Sequence, residues 1–217
     1  MSELAYKTVT VNGSDAFEFL QNQLTNDMRL LESEAEIFAA WCNPKGRVIW
    51  FGTVYPTESG YAMSVATDLV EEVVRRLTMF RFRSKVEFAI GEGSTVNTES
   101  LIANGYPAIS RLQSEKFTPH MLNLDLLGAV SVDKGCYPGQ EVVARTHFRG
   151  ATKRRLMRFK TTEPVSPGDK VSDGERDIGE VLNAAGTELL AVIPTEKADQ
   201  ELKVNGIPLV HLALPYL

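Results

Sequence analysis

Cysteine and histidine are scarce in this sequence, and long apolar runs are missing from it. The 217 residues hold two cysteines, Cys42 and Cys136, and three histidines. Two thiols are too few for a disulfide framework or a four-cysteine metal site. His120, His147 and His211 have no metal-ligand spacing to another histidine or to a cysteine, so no metal is assigned. No apolar run reaches about 18 residues, and no charged segment followed by an apolar one opens the chain. The expectation is a cytoplasmic protein without membrane contact. A P-loop, a dinucleotide fingerprint and a Ser-His-Asp order are also lacking, as are repeats and low-complexity tracts. The net charge of -5 argues against a polyanion binder over the whole surface and leaves only a local basic patch for such a role.

What is present is ordinary for a soluble globular chain: 43% hydrophobic and 24% charged residues, and enough length for one large domain or two small ones. Ala5 to Val11 alternates as a strand does. Asn12-Gly13 breaks it, and Ser14 or Asp15 is placed to cap a helix with Phe17, Leu20 and Leu24 on one face. Glu36–Trp41 and Arg47–Tyr55 read as a hairpin around Asn43-Pro44-Lys45-Gly46, with Trp41 and Trp50 in the core. Tyr61–Val65 is a further strand. Asp68 and Glu71 have the spacing of a capping box for a helix with Leu69, Val73, Val74 and Leu77 inward, and Lys85–Ile90 returns as a strand. From Gly91 to Pro119 the pattern reads as loop with one helical turn near Glu99–Ala103. Beyond Thr162, turn signals recur between short β-rich runs, the pattern of a small antiparallel barrel or sandwich. The fold class is α+β, divided near Gly150-Ala151 into 1–150 and 151–217.

The most informative stretch is Ala129–Arg158. It opens with a strand-like run to Val132. Then Lys134-Gly135-Cys136-Tyr137-Pro138-Gly139-Gln140-Glu141 forces a tight turn around one thiol. A short helix follows from Gln140 to His147, with Glu141 in its first turn. Cys136 falls just before that N-terminus and near Lys134, and both features favour an accessible, reactive thiolate. A free cysteine is most often a small buried hydrophobe, and Cys42 reads as one. From Val142 to Thr162 no acidic residue occurs, while Arg145, Arg149, Lys153, Arg154, Arg155, Arg158 and Lys160 supply seven cations. With no acid nearby to pair them, these read as an anion site.

These residues resemble a known family. Lys134–Glu141, followed by Val143-Ala144-Arg145 and Arg149–Arg154, is similar to the signature of the YgfZ branch of the YgfZ/GcvT-like folate-binding proteins. Phe19–Asp27, Cys42–Arg47, Ser84-Lys85-Val86, Ala103–Pro107, Pro119–Leu126 and Leu214-Pro215-Tyr216 fit the same family, so the resemblance covers nearly the whole chain. It implies ferredoxin-like α/β modules around a folate pocket, then a C-terminal β-barrel. It also implies tetrahydrofolate as cofactor, with iron–sulfur enzymes or assembly factors as partners and tRNA modification served indirectly. Two departures stand out. Between Ile90 and Leu101 the chain has about ten residues where fuller members carry a further βα module, so the folate platform is shortened or completed by a second copy of the chain. In the related aminomethyltransferases the strand after the glycine turn carries paired aspartates; here it reads Val48-Ile49-Trp50-Phe51, which argues against aminomethyl transfer.

On this resemblance the first expectation is an accessory protein for iron–sulfur cluster assembly or repair, with Cys136 as the working thiol. Lys134, Gly135, Tyr137, Gly139, Gln140 and Glu141 shape its loop. Tyr6 falls at an aromatic of the pterin pocket, and Asn97 where a second is expected. Arg145, Arg149 and Arg154 offer forks to the glutamate tail of a folate. The alternatives are a folate-dependent one-carbon transferase using Asp27 or Glu141, and a tRNA-binding module built on the basic run.

Overall fold

The computed structural model describes residues 2–150 and 152–217. Its first part is a five-stranded antiparallel sheet in the order β2-β3-β4-β1-β5. The strands are β1 (Glu3–Asn12), β2 (Ile37–Cys42), β3 (Val48–Thr57), β4 (Gly60–Ala66) and β5 (Glu87–Asn97). Helix α1 (Ala16–Gln23) follows β1, and α2 (Val70–Phe80) joins β4 to β5. With β2 set aside, this is the split β-α-β arrangement of a ferredoxin-like module. The second part is a closed six-stranded barrel, β10-β11-β6-β9-β8-β7. It comprises β6 (Arg154–Lys160), β7 (Lys170–Ser172), β8 (Asp177–Ala185), β9 (Glu188–Pro194), β10 (Leu202–Val204) and β11 (Ile207–Leu212). Between them lie α3 (Thr98–Asn104) and α4 (Gln140–Arg149). The fold is thus α+β, a sheet with helices followed by a β-barrel.

The two parts share one core. Along β9, Leu189, Ala191 and Ile193 fill the barrel, while Leu190 and Val192 join the apolar cluster of the sheet. A strand buried on both faces must be apolar at successive positions, and Leu189–Ile193 is. Asn183 of β8 adds a polar clamp: its amide accepts from the Ala108 N–H at 2.9 Å and donates to the Ala108 carbonyl at 3.0 Å. Trp41 and Trp50 are fully buried, as their hairpin positions require. Cys42 is buried too, and desolvation pushes its thiol up to about 12.

Several local expectations are corrected. In α1 the buried face carries Ala16, Phe19 and Leu20, with Leu24 just beyond the helix; Phe17 is exposed. Asp15 occupies the N-cap position of α1 but makes no side-chain cap bond; its carboxylate accepts the Lys85 N–H at 2.7 Å instead. Asp68 and Glu71 form no capping box either, since Leu69 occupies the cap position and Asp68 accepts from the Arg111 N–H at 3.1 Å. β5 continues through Gly91 to Asn97 because β1 extends to Glu3 and offers it a partner along that length. Asn97 caps α3, accepting from the Ser100 N–H at 3.1 Å. Ala151, at the expected domain boundary, lies outside the described residues.

Candidate functional site

The stretch expected as a strand, Ala129–Val132, is irregular. Its backbone is tied to residue 25: Thr25 Oγ1 donates to the Ala129 carbonyl at 2.7 Å, and the Ser131 N–H donates to the Thr25 carbonyl at 2.9 Å. Asn26 holds the preceding turn, donating to Gly128 at 2.8 Å and to Phe38 at 2.7 Å. These bonds deliver the chain to Lys134 beside the end of α1.

Lys134 corrects the largest expectation. Its side chain is turned inward, leaving the residue 5% exposed, and its ammonium donates to three carbonyls: Gln21, Leu24 at 2.7 Å and Asn26 at 3.0 Å. A helix leaves its last carbonyls without intrahelical partners, and a cation there also meets the negative end of the helix dipole. Lys134 is therefore a cap for α1 supplied from 110 residues away. Burial lowers its pKa to about 8, and the Asp27 charge opposes that fall. Asp27 is held as a carboxylate, well below its usual range, chiefly by the Arg29 guanidinium. It accepts from Gln21 as well, so it braces the lysine pocket.

Cys136 is exposed, and the space around Gly135 is open. The next residue turns the other way. Tyr137 is buried, its ring 5.4 Å from the Lys134 ammonium and its hydroxyl without a partner among the described residues. Burial, with the neighbouring Cys42, drives the Tyr137 hydroxyl above its ordinary range. Gly139 is left-handed, with φ 81°, and a Cβ there would stand 2.5 Å from the Asn43 carbonyl. The thiol loop thus docks on the β2–β3 turn, which explains a glycine at both 139 and 46. Gln140 reaches back to the Lys134 carbonyl at 3.4 Å, and Glu141 is exposed in the first turn of α4.

The basic run is divided by its partners. Arg155 forms a two-pronged pair with Asp125 at 2.9 Å, Arg158 pairs with Glu188 at 2.6 Å, and Arg154 donates to the Ile178 carbonyl. The expectation of unpaired cations is overturned for Arg155 and Arg158, because acids 30 residues away in sequence lie beside them, while Arg154 is occupied by a carbonyl. Arg145, His147 and Arg149 are exposed on α4. His120 lies under that helix, buried, its ring 6.0 Å from His147; neither of its nitrogens has a partner among the described residues. Burial lowers its pKa, which keeps it neutral.

Tyr6 lines two adjoining cavities. One, of about 520 Å³, lies between sheet and barrel and includes Asp68, Ile109 and Asn183; the other, of about 200 Å³, is walled by Phe38, Phe51 and Tyr106. Burial pushes the Tyr6 hydroxyl up to about 12. The larger cavity lies in the size range of small-molecule sites. Asp68 is its one lining carboxylate, a fitting acceptor for the N–H groups of a pteridine. Asp27, Arg145, Arg149, Arg154 and Cys136 line neither cavity, so the structure does not gather the expected folate set into one pocket. The residue missed by sequence is Asp68, read there as a helix cap. Arg111, whose guanidinium bonds the Asp68 carbonyl at 3.2 Å, was likewise passed over inside a loop.

Replacing Lys134 with methionine keeps the length and leaves three carbonyls without their donor. The expected loss is about 2–4 kcal/mol, measured by urea unfolding. The lysine also sets a pH dependence. Its folded value of about 8 lies below the 10.5 of the unfolded chain, so the unfolded state holds the proton longer. Stability from this group therefore rises between about pH 8 and 10.5, and that rise is absent from Lys134→Met.

Comparison with known proteins agrees with this architecture. Residues 153–215 match the family described as the CAF17 C-terminal beta-barrel domain. An uncharacterised protein of Haemophilus influenzae is 28% identical, over 97% of this chain and 95% of its own length. The tRNA-modifying protein YgfZ of Escherichia coli is 26% identical, over 84% of this chain and 78% of its own. The first of these alignments spans 267 positions, more than the 217 residues here, so that relative carries residues without a counterpart in this chain. The aminomethyltransferase T of the Bartonella henselae glycine cleavage system superposes with a TM-score of 0.74, covering 99% of this chain and 86% of its own. Its 14% identity makes that likeness one of fold alone. The chain thus carries a KGCYPGQE loop docked on its hairpin and a barrel that matches the CAF17 C-terminal domain, resembles YgfZ in sequence, and shares its overall fold with an aminomethyltransferase.

Proposed function

We propose that the chain is a YgfZ-like accessory protein that supports iron–sulfur cluster assembly or repair and, through it, iron–sulfur-dependent tRNA modification in the cytoplasm. The observation that carries this reading is Cys136, an exposed free thiol on a loop pinned by Lys134 and Gly139. The curated name of the Escherichia coli relative, a tRNA-modifying protein, supports the tRNA arm. Iron–sulfur clusters are commonly held by four thiolates, and this chain exposes one. The remaining ligands come from a client enzyme or an assembly factor, so contact is transient and Cys136 is its handle.

Tetrahydrofolate is the proposed cofactor. Tyr6 and Asp68 would hold its pteridine in the larger cavity, and Arg111, outside that lining but bonded to the Asp68 carbonyl and 4.0 Å from Glu72, would turn to the glutamate carboxylates. Bound there, a reduced pteridine supplies one-carbon chemistry. The chain's own residues supply an apolar wall, an acceptor at Asp68 and exclusion of water by Ile109 and Leu4. No residue of Val48–Phe51 is a carboxylate, so transfer of an aminomethyl group is not part of the proposal.

In a strain lacking the protein, Cys136→Ser should fold with unchanged stability, because the side chain is exposed, yet fail to restore iron–sulfur enzyme activity. Full restoration would remove the thiol from the function. For the cofactor, calorimetric titration with tetrahydrofolate should show saturable binding. Tyr6→Ala or Asp68→Asn should weaken it about tenfold or more, while Arg145→Ala and Arg149→Ala leave it unchanged. Absence of saturable binding would remove the folate arm and leave the thiol arm standing.

A further inference from the structure

The end of α2 and the turn after it read Arg75-Arg76-Leu77-Thr78-Met79-Phe80-Arg81-Phe82-Arg83-Ser84-Lys85, with no acid from Val73 to Val86. Leu77 and Val86 are buried and anchor the two ends, while the residues between them, Ser84 apart, face solvent. Met79 is 60% exposed and Phe82 86%. Phe82 also has φ 45°, a conformation bulky side chains rarely adopt. The turn is nevertheless firmly built. The Ser84 N–H donates to the Arg81 carbonyl at 2.8 Å, and the Lys85 N–H to the Asp15 carboxylate at 2.7 Å. Gly13 packs so closely on Lys85 that a Cβ would stand 2.1 Å from its carbonyl. An unfavourable backbone thus holds out an aromatic ring that is left 86% exposed by the described residues. Strain of this kind, kept without a packing gain, points to use.

Charge narrows what the ring meets. Arg76 is taken up by Glu72 and Glu115. Arg75, Arg81, Arg83 and Lys85 form no ion pair among the described residues. Arg81 donates to the Val86 carbonyl at 3.4 Å and Phe80 packs edge-on against Trp41, so it is Arg75, Arg83 and Lys85 beside the open ring of Phe82 that suit a ligand alternating flat apolar faces with negative charges. Phe, Met and Arg are also enriched at protein interfaces, so composition alone does not choose the partner; a run of cations with no acid between Val73 and Val86 is what favours a polyanion. A duplex keeps its bases stacked inward, whereas single strands offer theirs to aromatic side chains. A cleft of about 430 Å³ lined by Arg81, Ser84, Lys85 and Glu87 opens on one side of the turn, and one containing Asp15 and Glu18 on another.

We propose that the turn at 79–85 is a docking site for single-stranded RNA, with a base stacked on Phe82 and phosphates paired with Arg83 and Lys85. That the polymer is RNA rests on the proposed tRNA-linked function; the site itself is independent of Cys136 and of the folate cavity. The test is fluorescence anisotropy of the full chain with a labelled 12-nucleotide mixed-sequence RNA, the same sequence as a duplex, and the same sequence as single-stranded DNA. The expected result is saturable binding that is tightest for single-stranded RNA. Phe82→Gly should weaken it about tenfold or more, Phe82→Trp should retain it, and Arg83→Ala should lower the salt slope by about 0.7. Because glycine accepts φ 45° freely, Phe82→Gly should at the same time melt at a higher temperature than the native chain. No saturable binding, tighter binding of duplex or DNA, equal binding by Phe82→Gly, or a Phe82-dependent dimer in solution would each overturn the proposal. Cys136→Ser should bind RNA normally, so loss of this site and loss of the thiol function are separately visible.

Discussion

The ammonium of Lys134, buried against the carbonyls of Gln21, Leu24 and Asn26, is the contact on which the arrangement of the thiol loop depends. A charged group removed from water is costly unless its hydrogen bonds are replaced, and here three carbonyl acceptors replace them. The same carbonyls at the end of α1 have no other donor supplied by the helix. The contact therefore offsets part of the cost of burying the ammonium, whose pKa still falls to about 8, gives the end of α1 a donor, and fixes where the loop leaves the core. Two residues later the chain emerges with Cys136 in solvent; one residue further Tyr137 returns it to the interior beside Cys42. The exposure of the thiol follows from the burial of its neighbours.

The cations of the chain fall into two classes with different consequences. Arg155 and Arg158 are fastened to Asp125 and Glu188, and Arg155 also donates to the His120 carbonyl at 3.3 Å. The first pair joins the loop before α4 to β6, the second ties β6 to β9, and both belong to the fold. Arg145 and Arg149 on α4, and Arg81 and Arg83 after α2, remain toward solvent. On a molecule with a net charge of -5, such residues act over a short range, because exposed charges are screened within roughly 8–10 Å. What they meet is set by local geometry, and a rigid turn carrying Phe82 is local geometry of a defined kind.

Much of the architecture is legible in the sequence where the signal is local. The β2–β3 hairpin is announced by Asn43-Pro44-Lys45-Gly46, and the barrel by turn residues between short apolar runs. The α2 core stripe of Leu69, Val73 and Leu77 follows helical spacing. What escaped is what depends on distant partners. Lys134 reads as a cation beside a thiol because its acceptors lie over 100 residues upstream. Arg155 reads as unpaired because Asp125 is 30 residues away. Asp68 has capping-box spacing, yet the Arg111 backbone claims its carboxylate. β5 looks like loop after Ile90, since Gly91, Glu92 and Gly93 carry no strand preference; pairing with β1 overrides that. Phe82 has the letter of a core residue and the φ of a turn, and only coordinates show that it is held outside.

The central claim, that the Lys134 ammonium pins the loop and with it the buried Tyr137 near Cys42, is tested most directly by mass-resolved thiol labelling under native conditions. In the native chain Cys136 should react at once and Cys42 only through global unfolding. In Lys134→Met, Cys42 should become reactive through a local opening at denaturant concentrations well below the unfolding transition. If Cys42 stays as protected in Lys134→Met as in the native chain, the lysine does not hold the loop, and the geometry of the thiol has another cause.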